Sequence, residues 1–307
     1  MRLMDIMLKL SELYLSIIKV AQIAKYKRLS KEFIRYYGDI CINDISKYCM
    51  PGWLDYIKKI ESFLIPSPSY KFLQTDIFKK TMFVSDKGGW IEKELELLEK
   101  KFKSKELRRI LKEDSVGKPI ISNFKYLTSH NSIHQLYHII YFEKESKKHI
   151  KETNTIVEWG GGYGSMAKVI KRLKPTVTYT IIDIPIMSCL QWIYLSTVFQ
   201  PVDINMINND TVQVAKGKIN LLPLTFINKV SIMCELFISL WALSESSYVA
   251  QDFVNDCNFF HSNSLLLAFQ ESSKKWSNAS RVGSLASGRG VKVLPINFLP
   301  GNFYAIR

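Results

Sequence analysis

Apolar residues recur at intervals of three and four along the first hundred or so positions. Leu3, Ile6, Leu10, Leu13, Ile17 and Val20 draw one such stripe, the period of an amphipathic helix. Pro51 stands where a helix can begin, and Trp53, Tyr56, Ile57, Ile60 and Phe63 follow at helical spacing until Pro66 and Pro68 stop it. After Gly88-Gly89, the stripe Ile91, Leu95, Leu98, Phe102, Leu107 and Leu111 predicts another long helix. Gly117-Lys118-Pro119 then punctuates the chain. A helix rich in polar and aromatic residues is predicted over 131–147. From residue 153 the texture changes. Short apolar runs at 155–159, 179–184, 203–207, 236–240 and 265–269 alternate with helical stretches, which predicts βαβ units and a parallel sheet. Two last runs, 291–296 and 302–306, are joined by too few residues for a parallel crossover, so they predict an antiparallel hairpin at the sheet edge. The Gly- and Ser-rich stretch 277–290 predicts a surface loop.

Composition narrows the class without naming a function. The chain has 307 residues, 47% hydrophobic and 23% charged, the mix of a globular protein with a real core. Its most apolar N-terminal stretch is interrupted by Asp5, Lys9, Glu12 and Lys19, which fits neither a spanning helix nor a signal peptide. Five scattered cysteines without a CxxC argue against a disulfide framework or a zinc site and for a reducing compartment, so a cytoplasmic location is expected. Net charge is +14, most of it in the first 150 residues. Such a surface could attract nucleic acid, an anionic membrane or an acidic small molecule such as a nucleotide-linked sugar. Solvated lysines on helix faces are the plainer account.

The strongest local signal is Ile156-Val157-Glu158-Trp159-Gly160-Gly161-Gly162-Tyr163-Gly164-Ser165. A buried strand ends in an acid, a glycine loop follows, and a helix opens near Ser165. Glycines let backbone approach a ligand and take positive φ. The dinucleotide fingerprint GxGxxG would place its third glycine where Ser165 stands, so the pattern is instead E-x-G-x-G-x-G. A carboxylate at the strand end would repel phosphates but suits a cationic amino-acid group. Nineteen residues after Gly164, a second strand ends in Asp183-Ile184-Pro185, where a carboxylate can accept hydrogen bonds from ribose hydroxyls or simply cap a helix. The run 203–207 leads into Asn208-Asn209-Asp210, which makes Asn209 and Asp210 candidates for the base end of a nucleoside.

The glycine loop resembles motif I of S-adenosylmethionine-dependent methyltransferases. With Asp183-Ile184-Pro185 and the following Leu190-Gln191 and Tyr194-Leu195-Ser196, residues 120–245 resemble a family of sugar O-methyltransferases. Trp159 departs from the commoner Ile at its position. The resemblance implies a doubly wound α/β fold of class I methyltransferase (Rossmann-like) type, with a mostly parallel seven-stranded sheet over 119–307 behind an N-terminal helical domain, 1–118. It further implies S-adenosylmethionine as cofactor, held by Glu158, Gly160, Gly162, Tyr163, Gly164, Asp183, Asn209 and Asp210, and methylation of a hydroxyl on a sugar or glycan intermediate.

A sugar hydroxyl is a poor nucleophile, so a proton acceptor is expected beside it. His130, His134 and His138 are successive i, i+4 neighbours and share a helix face. His134, central among them, leads, with His130, His138 and Glu245 as the other candidates. Glu245 follows the fourth strand, where Ser239-Leu240-Trp241-Ala242 replaces the N/D-PP-Y/F tetrapeptide of base-modifying enzymes. The plainer account makes Glu245 part of a helix's first turn. No acidic partner suggests a metal, and none is expected. In the loop 277–290, Arg281 and Arg289 could clamp an anionic acceptor. Two other classes stay open: an RNA methyltransferase using the basic N-terminal half, and a non-catalytic S-adenosylmethionine-binding partner protein.

Overall fold

The computed structural model describes residues 3–41, 44–82 and 89–307, with side chains from residue 19 onward. The stripe from Leu3 to Ile17 and Gly88 therefore lie outside the described residues or side chains. Among the described residues the chain opens with α1 Leu3–Ile40, α2 Pro51–Leu64, α3 Asp76–Met82, α4 Trp90–Lys101 and α5 Ser104–Leu111. The single helix expected over the Ile91–Leu111 stripe is two helices, broken at extended Phe102 and Lys103. The sequence carries the reason, because the stripe steps by five between Phe102 and Leu107 and falls out of helical phase there.

Next come α6 His130–Ser146, β1 Thr155–Trp159, α7 Ser165–Leu173, β2 Thr178–Asp183, α8 Pro185–Val198, β3 Ile204–Met206, β4 Ile219–Pro223 and β5 Leu236–Leu240. The chain closes with α9 Tyr248–Asp256, α10 Asn258–His261, β6 Ser264–Gln270, α11 Arg281–Ser287, β7 Lys292–Pro295 and β8 Asn302–Ile306. Among the described residues eight strands form one sheet, ordered β3-β4-β2-β1-β5-β6-β8-β7. It is parallel except where β8 runs antiparallel to β6 and β7. This is the doubly wound, class I methyltransferase-like sheet with its C-terminal antiparallel hairpin, carrying one strand more than expected. β1, β2 and β5 are buried on both faces and read as nearly continuous apolar runs.

The extra strand corrects the sequence reading. The run at 203–207 does form β3, but on the outer edge, and β4 takes the place beside β2. The residues after β3, including Asn209 and Asp210, are consequently carried to the rim. The stretch 277–290 is a second correction. It contains α11, which buries Val282, Gly283 and Ala286. A Cβ on Gly283 would lie 2.6 Å from the Phe269 ring, so this glycine serves close packing rather than flexibility. Arg281 pairs with Asp252 and Arg289 bonds Asn258, and neither arginine lines the central cavity.

One hydrophobic core runs from the N-terminal helices through the sheet. α1 lies along α8, with Tyr36 and Trp192 rings 4.6 Å apart. Lys168 of α7 forms a buried ion pair with Glu113, which also accepts hydrogen bonds from Ser129 and Ser132 at the start of α6. No helix among the described residues is long and apolar enough to cross a membrane.

Candidate active site

Register brings the two acid-bearing strand ends together. Trp159 pairs with Ile182, and the Gly160 amide donates to the Ile182 carbonyl at 2.8 Å. Glu158 and Asp183 thus reach the same carboxyl edge of the sheet, beside the point where the chain crosses from one half to the other. That crevice is where doubly wound sheets bind ligands. Here it is a cavity of about 460 Å³, well within the range of small-molecule sites.

The glycines of the loop have different tasks. A Cβ on Gly160 would sit 2.1 Å from that of Ala242, and one on Gly164 would meet the Leu195 side chain at 3.0 Å. Both have positive φ, so close packing and backbone shape each demand glycine there. Gly162 also has positive φ, yet its Cβ would meet nothing nearer than Met82 at 3.8 Å. It presents bare backbone to the cavity. Gly164 opens α7 from a left-handed conformation, and buried Tyr163 packs edge-on against Tyr194 with centroids 5.1 Å apart.

Glu158 is buried and Asp183 half-buried. Glu158 is pushed up to about 8 by burial, against the hydrogen bond it accepts from the Tyr179 hydroxyl at 2.9 Å, with the nearby Asp183 adding to the rise. Burial pushes Asp183 up to about 7, while the amide of Ile184 (2.8 Å) and Gln191 Nε2 (2.7 Å) donate to it and limit the shift. Gln191 also donates to the Gly162 carbonyl at 2.8 Å. One side chain therefore fixes both the strand-end acid and the loop.

The opposite wall comes from α6. His134 is buried, and its Nδ1 lies 2.9 and 3.0 Å from the two carboxyl oxygens of Glu94 on α4. Burial pushes this imidazole down to about 3, so it is neutral at physiological pH. With Nδ1–H given to Glu94, Nε2 is the nitrogen left for the cavity, in its proton-accepting form. A carboxylate behind a histidine fixes tautomer and orientation and favours the imidazolium once a proton arrives. His138 also lines the cavity, its ring centroid 4.0 Å from that of His134. His130, half-buried at the start of the helix, does not line it. Asn131, one position further on, lines it instead.

Aromatic rings complete the walls. Trp90 stacks on Phe298 with centroids 4.0 Å apart and meets the His134 ring edge-on at 5.0 Å. Trp241, just past β5, has φ +64°, an uncommon conformation for a bulky residue and one that gathers at functional sites. Its indole N–H donates to Asn302 Oδ1 at 2.7 Å. Glu245 lines the far side and accepts from the Trp53 indole at 3.0 Å, and burial raises its pKa.

The structure therefore gathers Glu158, Gly160, Gly162, Tyr163, Asp183, His134, His138 and Glu245 around one cavity. Gly164 supports the loop from behind. Asn209 and Asp210 are exposed and lie outside it, and Leu224, after β4, lines the cavity in their stead. Sequence reasoning missed Glu94, Trp53, Trp90 and Phe298.

No family model matches the chain, and no curated protein matches it. Solved structures that resemble it include the pyocyanin biosynthetic protein PhzM (12% identity, TM-score 0.38, 59% of this chain and 56% of that one). Human N-acetylserotonin methyltransferase, solved with S-adenosylmethionine, gives 11%, 0.36, 58% and 55%. Magnesium protoporphyrin IX methyltransferase from Synechocystis PCC 6803, also solved with that ligand, gives 13%, 0.40, 70% and 97%. The chain thus spans little more than half the length of the first two. Likenesses of this size assign no activity; the site's own geometry has to.

Proposed function

We infer that this protein is an S-adenosylmethionine-dependent methyltransferase acting on a hydroxyl of a small molecule. One observation carries the reading: the glycine loop, its two acids and His134, which Glu94 holds from behind, line a single cavity. The residues fit the cofactor. One buried and one half-buried carboxyl suit a ligand with net positive charge, and Gly162 leaves open the space that any side chain would narrow. Asp183 would accept from ribose hydroxyls, Glu158 would face the cationic end, and Ile184, Met187 and Leu224 would line an apolar slot for the base. When bound, the cofactor supplies an electrophilic methyl group. His134 Nε2 takes the proton of the acceptor hydroxyl, and Glu94 holds the imidazole in place while it does so. The aromatic walls exclude water and orient the acceptor, and orientation supplies much of the acceleration in a displacement of this kind.

The finer reading is a sugar hydroxyl. Trp241, Trp53 and Glu245 line the cavity; aromatic rings suit the apolar face of a sugar, and Glu245 can accept from its hydroxyls. Methyl-labelled S-adenosylmethionine, incubated with the protein and with nucleotide-sugar, glycan and RNA fractions, tests it. Label on a sugar hydroxyl is the expected result. Label on RNA alone, or no transfer despite cofactor binding, would overturn it.

A further inference from the structure

Helix α6 brings more to the cavity than a base. Gln135 and His138 line it too, and Gln135 Oε1 and His138 Nε2 are buried without a hydrogen-bond partner. Buried polar atoms are almost always paired, and leaving one unpaired is costly. Orphans in the wall of a ligand cavity therefore mark where ligand atoms dock.

Their chemistry is restrictive. The other nitrogen of His138, Nδ1, is held by the Tyr304 hydroxyl at 2.7 Å. That bond leaves Nε2 as either donor or acceptor, depending on the direction of the Tyr304 proton. A hydroxyl satisfies both cases, and it can donate to Gln135 Oε1. An apolar substituent satisfies neither. Because the His134 and His138 rings are only 4.0 Å apart, a group bound at His138 is a close neighbour of the one that His134 deprotonates.

The geometry points to an acceptor with two neighbouring hydroxyls, one methylated at His134 and the other read by His138 with Gln135. His138 is then a specificity-determining residue. This rests on the methyltransferase reading, with His134 as base. A vicinal diol of a sugar ring and a catechol share the chemistry.

The experiment uses the full chain saturated with S-adenosylhomocysteine. It is titrated calorimetrically with two pairs of probes: cyclohexane-1,2-diol, a saturated-ring diol like that of a sugar, against cyclohexanol, and catechol against phenol. In at least one pair the diol binds roughly tenfold tighter than the mono-hydroxyl partner, about the worth of one buried hydrogen bond. The pair that shows the preference identifies the source. In His138→Phe the preference falls to within about twofold while affinity for S-adenosylhomocysteine is kept, and His138→Gln restores part of it. The same diol shifts the ¹⁵N resonance of His138 Nε2 in the wild-type protein, a readout that needs no variant to fold. No diol preference in either pair, a preference undiminished in His138→Phe, or an unmoved His138 resonance would each overturn the proposal. Failure of S-adenosylhomocysteine to bind at all would remove the methyltransferase reading and this inference with it.

Discussion

His134 and Glu94 sit 40 positions apart in sequence yet share two contacts near 3 Å, and the chemistry assigned to the cavity depends on that pair. Replacing His134 by Ala should lower kcat by about 10²–10⁴, the usual worth of a general base, with cofactor affinity intact. Glu94→Gln should lower kcat at least tenfold and change its pH profile, because a neutral amide no longer favours the imidazolium. A merely structural role for Glu94 would leave the profile unmoved. The i, i+4 spacing made the histidines legible as a face, but not which of them meets a carboxylate, since Glu94 reads as one more solvated acid on a Lys- and Glu-rich helix. The acids on the other wall make a second residue-scale prediction. Folded-state values of about 8 for Glu158 and about 7 for Asp183 lie above the unfolded carboxyl range of about 4. The ligand-free fold therefore holds extra protons between roughly pH 4 and 8 and loses stability as pH rises through that window. A cationic ligand prefers the ionised acids. Affinity for S-adenosylmethionine should accordingly rise between pH 6 and 9, by at most about tenfold per pH unit for each proton released, and by less for S-adenosylhomocysteine, which lacks the sulfonium charge. Calorimetry across pH checks this; a flat profile for both ligands would contradict it.

Elements place these residues, and the buried Lys168–Glu113 pair ties three of them together. Lys168 belongs to α7, Glu113 to the segment after α5, and Ser129 and Ser132 to the start of α6. Lys168→Met removes the cation but leaves the buried carboxylate, and should cost about 3–5 kcal/mol of stability. Denaturant titration measures it, and a loss below about 1 kcal/mol would show the pair to be dispensable. Strands β1 and β2 were readable because residues buried on both faces must be apolar in sequence. β3 was found but misplaced, since an apolar run does not say whether its strand is central or at an edge. The Ile219–Pro223 run that became β4 follows Gly217 by a single residue, and a turn signal followed by a short apolar run was the clue to it. In α11 the glycines suggested a loop, but Gly283 meets the Phe269 ring, a packing demand that no local pattern reveals.

At the scale of the whole molecule, the N-terminal helices supply part of the cavity wall rather than forming an appendage. α2 supplies Trp53 and Ile57, α3 Met82, and α4 Trp90, all lining the cavity. None of these contacts is visible in the sequence, because they depend on how helices fold back over a sheet many tens of residues further along the chain. The acids and the glycine loop decide which ligand the crevice takes, and competitive calorimetry reads that choice out. The protein is titrated with S-adenosylmethionine, S-adenosylhomocysteine and NAD, in the wild type and in Asp183→Ala. Both methionine nucleosides should bind, NAD should not compete, and Asp183→Ala should weaken binding by about 1.5–3 kcal/mol, the worth of hydrogen bonds to a charged group. NAD binding tighter than either nucleoside, or unchanged affinity in Asp183→Ala, would contradict this.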